Sequence, residues 1–169
     1  MKDVHFIITG GTIDSGWYPQ KDTVIPLGES SVVPYIQKYV QPGLKVHETV
    51  VSMVDSRGIT EPIRQIILDT VLNSESNNII VTHGTYTMAD TAKWLQQNVK
   101  KLGSKKVVFT GSFYPLVGYC PSDAGFNLGY AMGVINGLGP GVYVAMNAEV
   151  FEPSKVKKDM ERGKFAKID

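Results

Sequence analysis

A chain of 169 residues is long enough to bury a substantial core, and 43% hydrophobic with 20% charged residues is the balance of a folded protein rather than a disordered one. Its 17 lysines and arginines against 16 acidic residues leave a net charge of +1, which argues against nucleic acid or an anionic membrane as main partner, since phosphate binding demands clustered cations. One cysteine excludes an internal disulfide, and no apolar run or leader-like segment is evident, so the chain is expected to be cytoplasmic, with no membrane partner and no nucleic acid.

Five short runs rich in β-branched residues read as buried strands: Val4–Thr9, Lys45–Val51, Asn78–Thr82, Lys106–Thr110 and Gly141–Met146. Between the first two, Asp14–Glu29 has no periodicity and carries Gly16, Trp17, Tyr18, Pro19 and Pro26, which marks a long loop of the functional kind. Thr60 to Leu72 reads as an amphipathic helix with Thr60 as N-cap and Ile63, Ile66, Ile67 and Val71 on one face. Met88 to Leu102 sets Ala92, Leu95 and Val99 on one face and stops at Gly103. Ser122 to Gly137 carries Gly125, Gly129 and Gly133 four apart, a spacing that permits close approach to a sheet. The basic-leaning end, interrupted by Asp159 and Glu161, reads as an exposed tail or helix from about residue 152.

Strands alternating with helices predict one α/β domain: a three-layer, doubly wound, mostly parallel sheet with helices on both faces, Rossmann- or flavodoxin-like. Such sheets bind ligands outside the carboxyl ends of their strands, so the strand-end turns are where chemistry is sought.

The turn Thr9-Gly10-Gly11-Thr12-Ile13-Asp14 lets backbone N–H groups approach a ligand closely. It is not a nucleotide-phosphate loop. The glycines are adjacent rather than in a G-x-G-x-x-G pattern, and Trp17-Tyr18 stands where a Walker loop needs Lys and Ser or Thr. His83-Gly84-Thr85-Tyr86-Thr87-Met88 puts three hydroxyls and a histidine after the third strand. Asp55-Ser56-Arg57-Gly58 follows the second strand, and Thr110-Gly111-Ser112 the fourth. Taken singly, these are capping threonines, a packed histidine and a solvated arginine. Converging on one face, they describe a pocket of hydroxyls and amides suited to acyl transfer, in which a hydroxyl attacks a carbonyl. The base is either His83 or a lysine whose pKa falls on burial.

In this order the motifs resemble the bacterial-type L-asparaginases: T-G-G-T-I at Thr9–Ile13, H-G-T-x-T-M at His83–Met88 with Asp90-Thr91-Ala92, T-G-S at Thr110–Ser112, S-D-x-x-F-N-L at Ser122–Leu128 and V-x-M-N at Val144–Asn147. The resemblance covers nearly the whole chain and implies hydrolysis of L-asparagine to L-aspartate and ammonia without a cofactor. By it, Thr12 is the nucleophile that forms a threonyl acyl-enzyme and Thr85 the second catalytic hydroxyl, with Lys158 as its partner. Ser56 and Arg57 take positions that hold the substrate carboxylate, Gly11 and Gly84 line the site, and Tyr18 on the long loop acts as a closing tyrosine.

Two departures from the family pattern stand out. Tyr86 occupies the position of the family aspartate that binds the substrate ammonium, so weaker substrate binding, a changed substrate range, or replacement of that charge by another carboxylate such as Asp55, Asp90 or Asp123 is expected. The alternatives to an asparaginase are an amidase for another small amide and a binding module without turnover. The length resembles that of short-chain family members with the first domain alone, which implies a homo-oligomer. Other side chains have plain readings: Cys120 as a small buried hydrophobe, His5 and His47 as structural, Trp94 as packing, and no metal site.

Overall fold

The computed structural model describes residues 3–98 and 102–168. Five parallel strands and one antiparallel strand form its central sheet: β1 (Val4–Gly10), β4 (Val46–Val54), β5 (Asn78–Thr82), β6 (Lys106–Thr110), β7 (Gly141–Met146) and β8 (Glu149–Phe151). Their spatial order is β4-β1-β5-β6-β7-β8. The parallel strands thus follow the 2-1-3-4-5 order of flavodoxin-like sheets, whose direction of winding reverses between the first and third. Here that switch point lies between β1 and β5.

Both faces of the sheet are covered because its central strands are apolar on both sides. All of β1 is buried. Ile7 packs with Ile67, Leu68 and Val71 of α2 (Glu61–Asn73) and with Met88, Ala92 and Leu95 of α3 (Met88–Gln96). Phe6 and Ile8 face the other way, against Val32 and Val33 of the short α1 (Val32–Tyr35) and Ala124, Leu128 and Ala131 of α4 (Ala124–Val134). Phe6, Ile7 and Ile8 are fully buried, each contributing about 1.5–3 kcal/mol of transfer free energy. The result is the expected three-layer α/β architecture.

Three strands have the expected limits, whereas β4 runs on to Val54 and so carries the chain further toward the strand-end face. In α2 the buried residues are Ile67, Leu68 and Val71; Ile66, expected inside, is 50% exposed. The next helix, α3, ends at Gln96, and the expected core position Val99 lies outside the described residues. The glycines of α4 do not approach the sheet. A Cβ added at Gly129 or Gly133 would meet nothing within 4 Å, because Ala124, Asn127, Leu128 and Ala131 form the inward face instead.

Two segments read as irregular are hairpins. The long loop after β1 folds as β2 (Ser15–Tyr18) against β3 (Thr23–Pro26), pinned by buried Asp14, whose carboxylate accepts from Ser31 N, Ser31 Oγ and Ser30 Oγ. The expected tail is the antiparallel pair β9 (Val156–Asp159) and β10 (Lys164–Lys167). It is held because Val156 and Phe165 are buried in the core beside α3 and β7, with Phe165 edge-on to Phe113. Cys120, expected inside, is exposed in the loop before α4. No helix of the described residues is long and apolar enough to cross a membrane.

Candidate active site

The parallel strands end nearly level, with Ile8 opposite Thr82 and Thr82 opposite Thr110, so the turns that follow them meet. Threonine hydroxyls fasten the ends together: Thr9 Oγ1 donates to the Thr82 carbonyl at 2.8 Å and Thr110 Oγ1 to that of Ala145 at 2.9 Å. The turns then touch through glycines. A Cβ on Gly11, whose φ is +84°, would lie 2.4 Å from Gly84 Cα, and one on Gly111 would lie 2.3 Å from the His83 carbonyl oxygen. One on Gly84 would lie 2.7 Å from Ser56 Oγ. No side chain larger than hydrogen fits at these contacts, and the turns that carry Thr12, Ser56 and Thr85 are drawn together.

Thr12 opens a single 3-10 turn, Thr12–Asp14, and is half-buried. Thr85 is 4% exposed and accepts a hydrogen bond from Lys158 Nζ at 2.8 Å. That lysine arrives from β9, 73 residues downstream, brought in by the terminal hairpin. Burial pushes the Lys158 pKa below its ordinary value, with Arg57 adding to the depression and Asp55 opposing it. A larger fraction of neutral amine follows, which is what proton withdrawal from a hydroxyl requires.

The second strand-end turn is tied to the third by Thr87 Oγ1, which donates to the Ser56 carbonyl at 2.6 Å. Ser56 is 2% exposed, and its hydroxyl has no hydrogen-bond partner among the described residues. Next to it, Arg57 is exposed and forks onto Asp55, with Nε to Oδ1 at 2.7 Å and Nη2 to Oδ2 at 3.2 Å. Those bonds hold the Asp55 carboxyl below the usual carboxylate range.

Tyr86 projects outward, 51% exposed, and two cations lie over its ring: Lys158 Nζ at 3.9 Å from the centroid and Arg57 Cζ at 4.9 Å. Of the carboxylates considered as replacements for a charge at this position, Asp55 is the one coupled to Lys158. Asp123 is spent on Phe113 N, Tyr114 N and Asn127 Nδ2, and Asp90 is exposed on α3.

His83 is poorly disposed to take up a proton. Its ring is buried against Phe109, its Nδ1 donates to the Gly84 carbonyl at 2.9 Å, and burial lowers its pKa to about 4. Tyr18 is not brought into the cluster. It is exposed at the far end of β2, opposite Thr23, and no hydrogen bond among the described residues joins it to Thr12, Thr85 or Lys158. Phe113, to which the motifs assign no role, has its ring centroid 5.2 Å from Lys158 Nζ and helps shield it. An aromatic directly after T-G-S was its only signal.

Among the described residues no group of His, Cys, Asp and Glu is arranged to hold a metal ion. The cluster is one of hydroxyls, backbone amides and a single amine.

A flavodoxin-like sheet with a hydrogen-bonded threonine–lysine pair beside its switch point defines an α/β protein with a polar cluster at its strand ends. The chain matches the family model described as Asparaginase, N-terminal, over residues 3–165, and it belongs to that family. It is 30% identical to L-asparaginase 1 of Escherichia coli K12 over 158 residues, which cover 89% of this chain and 42% of that enzyme. Among solved structures, the thermostable L-asparaginase from Thermococcus kodakarensis superposes with a TM-score of 0.81 at 26% identity, covering 98% of this chain and 51% of the other. L-asparaginase I from Vibrio cholerae gives 0.80 at 26% identity over the same shares. A probable cytoplasmic L-asparaginase from Campylobacter jejuni shares the fold, with a TM-score of 0.82 at 21% identity. The chain therefore spans about half the length of these relatives.

Proposed function

We propose that the chain hydrolyses the side-chain carboxamide of small amido acids, L-asparagine among them, to a carboxylate and ammonia through a threonyl ester. The observation that carries this reading is the 2.8 Å bond from Lys158 Nζ to Thr85 Oγ1, in a turn that touches the one bearing Thr12. Thr12 Oγ1 attacks the amide carbon and the C–N bond breaks. The hydroxyl proton leaves on the departing ammonia, and the acyl group stays on Thr12. Water then attacks the ester while Thr85, relayed to neutral Lys158, draws off a proton; the acid leaves and the Thr12 hydroxyl is restored. Gly11 and Gly84 let the two turns approach, and Ser56 and Arg57 receive the carboxylate at the far end of the substrate. Tyr18 acts only if the β2–β3 hairpin swings inward over the bound amide.

Tyr86 favours a second reading, in which the pocket binds asparagine or aspartate without turnover. Self-association belongs to the first reading, since the mouth beside Tyr86 and Arg57 is open. So does a reducing, cytoplasmic setting for the exposed thiol of Cys120. The deciding experiment is ammonia release from L-asparagine, L-glutamine and other small amides, with Thr12→Ala as control. Release that vanishes in Thr12→Ala, with an acyl adduct on Thr12 by mass spectrometry, is the expected result. Ligand-dependent thermal stabilisation without ammonia would install the binding reading instead.

A further inference from the structure

The charges at the mouth of the site are unbalanced. Lys158 and Arg57 both lie over the ring of Tyr86. The carboxylate nearest them, Asp55, has one oxygen occupied by Arg57 N and Nε and the other by Arg57 Nη2. Asp14 is fully buried and satisfied by the Ser30 and Ser31 donors, and Asp123 is satisfied by the turn before α4. Asp90 is exposed on α3 and makes no hydrogen bond to these groups among the described residues. His83, buried and neutral, adds no charge. Among the described residues the mouth then holds the Asp55–Arg57 ion pair, a phenol and, whenever Lys158 carries its proton, an ammonium with no carboxylate of its own.

Tyr86 directly follows Thr85, so this surface lies beside the reacting end and is available to the other end of a short substrate. A carboxylate there meets Lys158, the Arg57 edge and the buried, unpartnered hydroxyl of Ser56. A protonated amine there meets the Lys158 ammonium, Arg57 being paired with Asp55, and the ring that would otherwise attract a cation already has both cations over it.

From this juxtaposition, and resting on the amidohydrolase reading, we infer that the site selects ω-amido carboxylates lacking an α-ammonium, the monoamides of short dicarboxylic acids. Tyr86 is the residue that sets the choice. The reaction is unchanged: the C–N bond of the amide is exchanged for a C–O bond from water, and a dicarboxylate and ammonia leave.

The test compares ammonia release from succinamate and L-asparagine, which differ by the α-amino group alone, in the whole chain and in Tyr86→Asp. Tyr86 is half-exposed, so the substitution is compatible with folding, and circular dichroism checks it. The expected result is a kcat/KM for succinamate at least about tenfold above that for asparagine, the size of one charge-assisted contact. In Tyr86→Asp the ratio moves toward asparagine by at least about tenfold. Equal or better use of asparagine by the unaltered chain overturns the inference while leaving the amidohydrolase reading intact. So does a ratio that Tyr86→Asp leaves unmoved. Release from neither substrate, nor from any other amide, overturns both.

Discussion

The backbones of Gly11 and Gly84 are in direct contact: a Cβ on Gly11 would sit 2.4 Å from both the Cα and the amide nitrogen of Gly84. Gly11 also has φ 84° and ψ −174°, a region that L residues with a side chain rarely enter. Gly11→Ala therefore combines backbone strain with overpacking, and the expected loss of stability is on the order of 3 kcal/mol. The strain is relieved by parting the turns that hold Thr12 and Thr85. Ammonia release should thus fall more steeply than the folded fraction, and urea titration beside the activity assay reads both. A loss of activity that only tracks unfolding would refute the claim that the contact sets the threonine spacing.

Lys158 tests the chemistry itself. Lys158→Met keeps the length and apolar stem of the side chain but removes the amine that bonds Thr85. The expected fall in kcat is about 100- to 10,000-fold, the usual contribution of a positioned base. Since burial lowers the Lys158 pKa, the neutral fraction grows with pH and the rising limb of kcat lies below the ordinary lysine value. In Lys158→Met that limb should disappear. A limb that persists would assign it to another group.

Asn147 sits with φ 55° just after β7, and its Oδ1 accepts from Phe165 N at 2.8 Å. It thereby fixes the hairpin whose other strand carries Lys158. Asn147→Ala removes the acceptor and strains the left-handed backbone, at a cost of about 1–3 kcal/mol. Asn147→Asp keeps both the acceptor and tolerance of that conformation. The alanine variant should lose about tenfold or more in kcat with little change in KM, and the aspartate variant should recover it. Equal kcat in the two would mean that the hairpin holds Lys158 without this bond.

The sheet was legible in the sequence because its strands are buried on both faces, and runs such as Asn78–Thr82 and Lys106–Thr110 have no other reading. The hairpins were not. In β9–β10 only Val156 and Phe165 reach the core, and their lysine neighbours give the segment the composition of a tail. In α4 a glycine stripe and the stripe of Ala124, Asn127, Leu128 and Ala131 have equal periodicity, so spacing alone does not say which faces inward. The turn threonines were legible from turn composition, but Lys158 was reached only through the family resemblance. Nothing local marks a lysine that will fold back across 73 residues. The placing of two cations over Tyr86 depends on three separate turns and has no sequence signature.

His83 makes the fold sensitive to acid. Its ring is fully buried, Nδ1 is bound to the Gly84 carbonyl, and Nε2 has no partner among the described residues, so a proton there is poorly accommodated. Burial lowers its pKa from 6.5 to about 4, with the Arg64 charge adding to the effect. Between those values the unfolded chain binds a proton that the folded chain refuses, so stability rises with pH through this window and is lost as pH falls from about 6.5 toward 4. The full contribution is about 3 kcal/mol. His5, also depressed by burial, acts in the same direction, whereas Asp14 and Glu48, raised by burial, act in the opposite one. Comparison with His83→Gln isolates the histidine, because glutamine retains a donor for the Gly84 carbonyl but does not titrate. Unfolding free energies from urea at pH 4.5 and pH 7 should differ less in the variant than in the parent chain, by most of that amount. The His83 ring resonances should meanwhile remain those of a neutral imidazole down to about pH 4. An imidazole that titrates near pH 6.5 would show that the ring is open to water in solution.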